Sequence, residues 1–253
     1  MDRNRGAQSA HPGAVAAAGL LVALLAAPGA VLAFEGWVHL PALVGVPTAR
    51  YLGTSLGSAS LALAIIVGGG TPLAWWLTHL SARTQAWAEA LLIIPLLLPP
   101  LVLGLALIFL LGPDSATHLA WTNAFAGLVA AEVYEAAPYF VLAAWTAMRA
   151  VPAPMVEAAA TLGWSSWRLL ARLYLPLAAP GIALGAAMAW SRAIGAFGAP
   201  IVVSYHPAGL PVGIWITLED FGLPAAMALA LVLVVAALPL PLLATGWARH
   251  AEH

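Results

Sequence analysis

Long apolar stretches separated by short polar segments set the pattern of this chain. Six of these stretches approach the roughly 20 residues that an α-helix needs to cross a bilayer. They run from about Pro12 to Phe34, Leu52 to Leu77, Ala86 to Leu111, Leu119 to Trp145, Leu173 to Val203 and Leu223 to Trp247. The fifth is long enough to include a start outside the membrane. The pattern therefore predicts an all-α membrane protein with six transmembrane helices.

Prolines fall within or at the edges of these stretches. They are Pro28, Pro72, Pro95, Pro99, Pro100, Pro138, Pro180, Pro239 and Pro241. A membrane helix tolerates proline because neighbouring helices and waters satisfy the carbonyl groups that it frees. The sequence leaves two interpretations open, kinks that serve packing and parts of a mobile gate.

Composition narrows the class of protein. Hydrophobic residues make up 63% of the chain and charged residues 8%, whereas a soluble domain carries about 25% charge. The net charge of −1 gives no indication of nucleic-acid binding, and the absence of cysteine excludes disulfides and thiolate–metal sites. All nine basic residues are arginine. Because a phosphate-binding P-loop needs a lysine, the chain is not expected to hydrolyse ATP by itself.

The arginines also predict the orientation, since cytoplasmic loops of membrane proteins are enriched in basic residues. If the N-terminus is cytoplasmic, seven arginines lie on the cytoplasmic side: Arg3, Arg5, Arg83, Arg149, Arg168, Arg172 and Arg249. Arg50 then lies outside and Arg192 within a span. We therefore expect a multi-pass protein of the cell membrane with both termini on the cytoplasmic side.

The first apolar stretch has two interpretations. Arg3 and Arg5, an apolar run and small residues before Phe34 are typical of a secretory signal cleaved after Ala33. However, the run is longer than the roughly 7–15 residues of a typical signal core. We therefore favour a retained helix, and cleavage would leave five spans.

A polar segment after the fourth stretch has a distinctive spacing. It reads Glu157-Ala158-Ala159, three residues, Gly163, nine residues, Leu173, one residue, and Leu175-Pro176. The first part contains good helix formers with little side-chain bulk, which lets another surface approach the backbone. Gly163 suits the left-handed position that closes a helix, and Ser165 or Ser166 can cap the next one. An ordinary cytoplasmic helical hairpin is the alternative.

This spacing resembles the cytoplasmic "EAA" loop of ABC-importer permeases, and the similarity extends from about Tyr51 to Trp247. It implies the type I importer architecture, with an N-terminal helix and external loop (1–50), a permease core of five helices (51–248) containing a coupling loop (about 150–172), and a cytoplasmic tail (249–253). The resemblance implies no catalytic site and no metal site. It also implies an ATPase-docking loop formed by Glu157, Ala158, Ala159, Gly163, Leu173 and Pro176.

The resemblance further implies a set of partners. A cytoplasmic ABC ATPase in two copies would bind ATP and Mg²⁺, so this chain needs no cofactor of its own. A binding protein outside the membrane would deliver the substrate, and a second copy of the chain would complete the permease. A homodimer surrounded by lipid is therefore expected.

Two further segments are similar to molybdate-type permeases. One begins at Pro95 and continues through Leu98-Pro99-Pro100-Leu101-Val102-Leu103-Gly104-Leu105, and the other is Ser191-Arg192-Ala193-Ile194-Gly195-Ala196-Phe197-Gly198-Ala199. In the second, Ala196 stands where those permeases usually carry glutamate. The implied substrate is molybdate or tungstate, with sulfate, thiamine or ferric iron as alternatives within the same fold.

Charges within the predicted spans are costly and usually functional or paired. Glu132 and Glu135 lie three residues apart on one face of the fourth span, and Arg192 lies deep in the fifth. They are interpreted either as a structural Glu–Arg pair between helices or as lining of a pathway. We expect the glutamates to be structural or gating, and Arg192 to lie near an oxyanion pathway with Phe197.

Two other functional classes are compatible with parts of the sequence. A membrane-embedded enzyme would use the glutamate pair or Ser55, which stands in a Gly-x-Ser-x-Gly motif, but that motif acts on a strand-to-helix turn with histidine and acid partners. A passive channel would have no use for a docking loop. The seven histidines form no ligand pair at helical spacing within a span, so no metal site is expected.

Overall fold

The computed structural model describes residues 12–115 and 118–251. Its α-helices are α1 (Pro12–Val38), α2 (Thr48–Thr78), α3 (Ala82–Leu97), α4 (Pro100–Leu111), α5 (Phe125–Arg149), α6 (Ala153–Thr161), α7 (Ser166–Leu169), α8 (Leu175–Ile194), α9 (Pro200–Val203), α10 (Leu210–Phe221), α11 (Leu223–Ala237) and α12 (Pro239–Ala251). A short 3₁₀ helix, Leu40–Leu43, follows α1, and a π-helical segment, Leu170–Tyr174, joins α7 to α8.

Five stretches of this part of the chain are long and apolar enough to cross a membrane. They are Val15–Val38, Thr48–Thr78, Phe125–Arg149, Ser166–Ile194 and Leu223–Ala248. The pair α3 and α4 becomes a sixth if a bent pair counts as one span. The predicted all-α membrane protein is therefore confirmed, with an unpredicted bend in its third span.

The predicted span from Ala86 to Leu111 contains a break that is sharper than the proline kinks left open by the sequence. The chain breaks after Leu97, and α3 and α4 lie at 106° to each other. Leu98 and Pro99 are extended, with ψ of 130° and 132°. Proline disfavours the helical region for the residue before it, and Leu98, Pro99 and Pro100 place two such restrictions in a row. The Pro-Pro pair therefore turns the chain.

The fifth predicted stretch, Leu173–Val203, also differs from the structure. Its helix α8 ends at Ile194, and the segment Gly195–Ala199, here called the 195–199 turn, leads to the separate short helix α9. Helix α10 was not predicted at all. Glu219 and Asp220 near its end interrupt the apolar pattern that identified the other helices.

Helices α2, α5 and α8 form the centre of the bundle, and small residues bring them together. A Cβ added at Gly70 of α2 would lie 2.7 Å from the Phe140 ring of α5, and one at Gly185 of α8 would lie 2.9 Å from Ala143 Cβ. Lipid is as apolar as a protein core, so close packing of small residues, rather than exclusion of water, holds such helices together. Phe140 is fully buried at this junction.

The bend between α3 and α4 packs against the 195–199 turn. A Cβ at Gly198 would lie 2.5 Å from Pro100 Cβ, and Gly104 of α4 faces Ala199 and Val202. Leu103, Leu107, Ala131 and Val203 are among the buried side chains of this cluster. The backbone interruptions in α3–α4 and after α8 therefore meet at one place. Ala196 and Ala199 of the turn are buried at this contact, so part of the irregular backbone is covered by protein, as a membrane favours.

Candidate functional site

The polar loop after α5 folds as a short helix with a complete glycine-based end. Gly163 has a φ of +74°, its N–H donates to Ala160 O at 2.9 Å, and Trp164 N–H donates to Ala159 O at 3.2 Å. These two bonds form the Schellman motif, in which a left-handed residue, usually glycine, closes a helix. The predicted role of Gly163 is confirmed in its backbone geometry. Ser165 takes the N-cap position of α7, although its side chain makes no cap hydrogen bond.

The predicted docking residues divide into an exposed and a buried set. Glu157, Ala158, Gly163 and Pro176 are exposed. Ala159 and Leu173 are buried, at 7% and 8% exposure, so their side chains hold the loop to the bundle and are not available to a partner.

Two large apolar side chains on this loop escaped sequence reasoning. Leu162 is 74% exposed and Trp167 is 71% exposed. Leu162 directly follows α6 and Trp167 lies in α7, so the two side chains flank Gly163 in the sequence. The sequence feature that could have identified them is a large apolar residue within an otherwise polar segment. Together with Glu157 and Ala158 they define what we call the loop surface.

A groove lies behind α6. It has a volume of about 380 Å³, and its lining includes Gln85, Arg149, Glu157 and Tyr174. Gln85 Nε2 donates to the carbonyls of Leu77 and Leu80 at 3.0 and 3.1 Å, which fixes the start of α3 to the end of α2. Glu157 thus belongs both to the lining of this groove and to the loop surface.

The π-helical segment connects the loop to the membrane helix α8. Leu175 N–H donates to Leu170 O, five residues back. Pro176 follows directly and has no N–H of its own, and its ring excludes the ordinary helical position of the carbonyl four residues earlier. The widened turn accommodates this proline, so the loop and α8 form one continuous helical stretch from Ser166 to Ile194.

Glu135 and Arg192 form an ion pair between α5 and α8. Arg192 Nη2 lies 2.6 Å from Glu135 Oε2, and the Glu135 side chain is 1% exposed against 33% for Arg192. The other carboxylate oxygen, Oε1, accepts a hydrogen bond from Ala199 N–H at 3.0 Å. One carboxylate therefore connects α5, the end of α8 and the 195–199 turn. The structure therefore contains the Glu–Arg pair between helices that was one of the two interpretations of these charges.

Glu132 has a different partner although it lies only three residues away. Its Oε1 accepts a hydrogen bond from Ser58 Oγ at 2.7 Å, and both residues are buried. Glu132 thus joins α5 to α2, whereas Glu135 joins α5 to α8. The residues share a helix face but not a site.

A small cavity lies beside the ion pair. Its volume is about 50 Å³ and its lining includes Pro95, Pro100, Glu135, Tyr139 and Arg192. A water molecule needs roughly 10–15 Å³ measured in this way, so the cavity has room for a few. Tyr139 also borders a wider groove of about 510 Å³ that follows Ala143, Ala147 and Gly181 to Ala150, at the loop end of α5.

The remaining predicted residue, Phe197, lies in the 195–199 turn. It is 36% exposed, and its ring centroid lies 6.2 Å from that of Trp215. Ala196 beside it is buried, at 3% exposure. The structure therefore brings Glu135, Arg192 and the Phe197 turn together and leaves Glu132 outside this group.

Ser55 has a structural contact. It is 1% exposed, lies inside α2, and its Oγ accepts a hydrogen bond from Leu210 N–H at 2.7 Å. This bond satisfies a donor in the first turn of α10, which has no partner within its own helix. The residue lies in mid-helix and not at the strand-to-helix turn that the nucleophile motif requires.

Comparison with known proteins identifies the family. The model of the "binding-protein-dependent transport system inner membrane component" family matches residues 70–253. A probable molybdenum ABC transporter permease of Haloferax volcanii is 40% identical over 70% of this chain and 66% of its own length. The molybdate/tungstate transport system permease of Thermococcus kodakarensis is 32% identical over 83% of this chain and 84% of its own length.

A solved structure has the same fold. A chain of a bacterial alginate ABC transporter, crystallised with an alginate-bound periplasmic protein, superposes with a TM-score of 0.73 over 94% of this chain and 93% of its own. The two sequences are 16% identical, so this likeness concerns the fold. The resemblance drawn from the sequence is confirmed. The chain belongs to the family of inner membrane components of binding-protein-dependent transport systems, and it is a permease subunit of an ABC importer.

Proposed function

We propose that this permease imports molybdate or tungstate, driven by a cytoplasmic ABC ATPase that binds the loop surface. The observation that carries the coupling part of the proposal is the exposed helix α6 with its Schellman end. A helix closed by its own backbone bonds keeps its shape without help from a partner. Its exposed side chains, including Leu162 and Trp167, are then free to enter a partner surface.

The substrate proposal is supported by two observations. Relatives that are 32% to 40% identical carry names of molybdenum or molybdate/tungstate permeases, and Arg192 provides a guanidinium within a membrane-spanning stretch. Arginine suits tetrahedral oxyanions because its planar guanidinium donates several hydrogen bonds and stays positively charged. An ionised carboxylate in the same pathway would repel them, and Glu135 is paired with arginine instead.

The pathway would lie between two copies of the chain. The groove from Tyr139 to Ala150 is open on one side of the bundle, and its lining combines small residues such as Ala143 and Gly181 with larger apolar side chains. A symmetric pair closes such a groove and supplies two loop surfaces for two ATPases. Both termini and the loop would then face the cytoplasm, while a substrate-binding protein docks on the opposite face. ATP and Mg²⁺ would bind the ATPases.

Uptake into proteoliposomes tests the substrate proposal. The permease would be reconstituted with its ATPase and its binding protein, and ATP-dependent uptake of molybdate and tungstate would be measured against sulfate, thiamine and ferric iron. We expect uptake of the first two, and Arg192→Ala should reduce it more than it reduces assembly with the ATPase. Uptake of one of the other substrates instead would refute the oxyanion assignment.

The loop surface is tested with a matched pair of tryptophans. Trp167 and Trp37 are both 71% exposed, but Trp37 lies at the far end of α1. Buried tryptophans at interfaces often contribute 2 kcal/mol or more, about 30-fold in affinity. We expect Trp167→Ala to weaken ATPase binding by roughly that factor and Trp37→Ala to leave it unchanged. Mass measurement of the complex should find two permeases and two ATPases.

A further inference from the structure

The Glu135–Arg192 pair leaves part of the arginine unused. Nη2 contacts Glu135, but Nε is buried without a hydrogen-bond partner among the described residues. The guanidinium also borders the 50 Å³ cavity together with Tyr139. Arginine binds carboxylates and oxyanions best when two of its N–H groups act together. This arginine is therefore held to a carboxylate by one ion-pair contact, and its Nε donor remains for another anion.

The carboxylate is fixed more firmly than the arginine. Glu135 is almost fully buried, and Ala199 N–H donates to its second oxygen. The Arg192 side chain is one-third exposed and has a long flexible stem. When Arg192 turns away, Glu135 keeps its bond to Ala199 and stays where it can accept the arginine again.

We propose that Glu135 is a resident competitor for Arg192, occupying the guanidinium until a substrate oxyanion takes its place. In the resting permease the pair avoids an uncompensated charge at membrane depth, which is costly. When a tetrahedral oxyanion enters, Arg192 turns to it, and Glu135 is left with Ala199 N–H as its partner. The cost of this unpaired carboxylate is the penalty that each cargo anion must overcome. Competition lowers the affinity of the permease for its cargo, so that release to the far side is favoured. This inference rests on the proposed oxyanion transport.

Direct binding of tungstate to the purified permease–ATPase complex, without the binding protein, tests this role. Glu135→Gln keeps an acceptor for Ala199 N–H but removes the charge that competes for Arg192. We expect it to bind tungstate about tenfold more tightly, a factor that corresponds to 1.4 kcal/mol. The gain should disappear in the Glu135→Gln/Arg192→Gln double variant. Glu132→Gln is the matched control on the same helix and should bind like the wild type.

The outcomes separate this inference from the proposed function. If Glu135→Gln assembles but binds tungstate no better than the wild type, the competitor role is refuted and the pair is structural. If it does not assemble, Glu135→Met gives the same test, because it also removes the competing charge while keeping a side chain of similar length; a gain supports the competitor role and no gain overturns it. Absence of molybdate and tungstate uptake by the wild-type importer would instead refute the proposed function.

Discussion

The loop around Gly163 and the 195–199 turn both interrupt helical structure, after α6 and after α8, but they are held in opposite ways. The loop is closed by backbone bonds between residues at most five positions apart, from Trp164 to Ala159. The turn is held by Glu135, which lies 64 positions from its partner Ala199. The exposed segment is stabilised by its neighbours in sequence. A segment inside the membrane depends on distant residues.

The difference follows from the surroundings of each segment. Water satisfies the free backbone groups of an exposed loop, so few side chains are committed and Leu162 and Trp167 remain exposed. At membrane depth every free N–H needs a partner from the protein. The 195–199 turn therefore recruits a carboxylate for Ala199 N–H and close contact from Pro100 and Gly104.

The largest effect is expected from a substitution that disrupts the loop around Gly163. Gly163→Pro fixes φ near −65°, whereas the Schellman end needs +74°. The turn must then reorganise and α6 shifts relative to α8. Misplacement of a coupling element by about 1 Å can cost about a hundredfold in rate. We expect substrate-stimulated ATP hydrolysis of the assembled importer to fall by about that factor, while insertion and folding in the membrane are retained.

Two controls define what that result means. Asparagine tolerates the left-handed conformation, so Gly163→Asn should retain most of the coupling. Gly53→Ala lies in α2, where an added Cβ has no described neighbour within 4 Å, and should behave as the wild type. Normal coupling in a correctly inserted Gly163→Pro variant would remove the loop geometry from the mechanism.

The same contrast explains how far the sequence could be interpreted. The left-handed Gly163 that closes α6 depends on local spacing and was predicted, whereas the burial of Ala159 and Leu173 in the same loop was not. The 106° bend at Leu98–Pro99 was not predicted, because a hydropathy pattern continues through a bend that preserves apolar character. Proline was present, but membrane helices tolerate it in straight spans as well.

The pairing of the glutamates required the three-dimensional fold. Their spacing on α5 suggested one shared site, and their partners Ser58 and Arg192 lie on different helices. Sequence supplied Arg192 as a pairing candidate, because an arginine in a span needs a counter-charge. Nothing in the local sequence could select Glu135 over Glu132, since that choice depends on how α5 is rotated between α2 and α8.

A second prediction breaks the support of the 195–199 turn. A Cβ at Gly104 would contact Val202 and lie 2.8 Å from Ala199 Cα and 3.0 Å from its carbonyl oxygen. Backbone atoms cannot move aside as a side-chain tip does, so α4 must separate from the turn. Overpacking typically costs about 1–3 kcal/mol. We expect Gly104→Val to lower the midpoint of thermal unfolding in detergent and reduce the yield of assembled complex.

Gly69→Ala is the control for this change, because an added Cβ there meets no described atom within 4 Å. It should be neutral or slightly stabilising. If Gly104→Val leaves the unfolding midpoint unchanged, the turn does not depend on contact with α4. The contrast between a locally held loop and a remotely held turn would then rest on Glu135 alone.

The smallest expected effect concerns the bond between Ser58 and Glu132, a second remote contact at membrane depth. Ser58 Oγ donates to Glu132 Oε1 at 2.7 Å, and both side chains are buried. Such bonds between membrane helices contribute about 0.6–2 kcal/mol, because the unfolded chain in the membrane also finds partners. We expect Ser58→Ala to destabilise the permease by an amount in that range, measured by unfolding in detergent, without changing tungstate binding. A cycle with Glu132→Met isolates the pair: if the two substitutions act additively, the bond contributes nothing and Glu132 is held by packing. A change in tungstate binding would instead place Glu132 in the pathway together with Glu135.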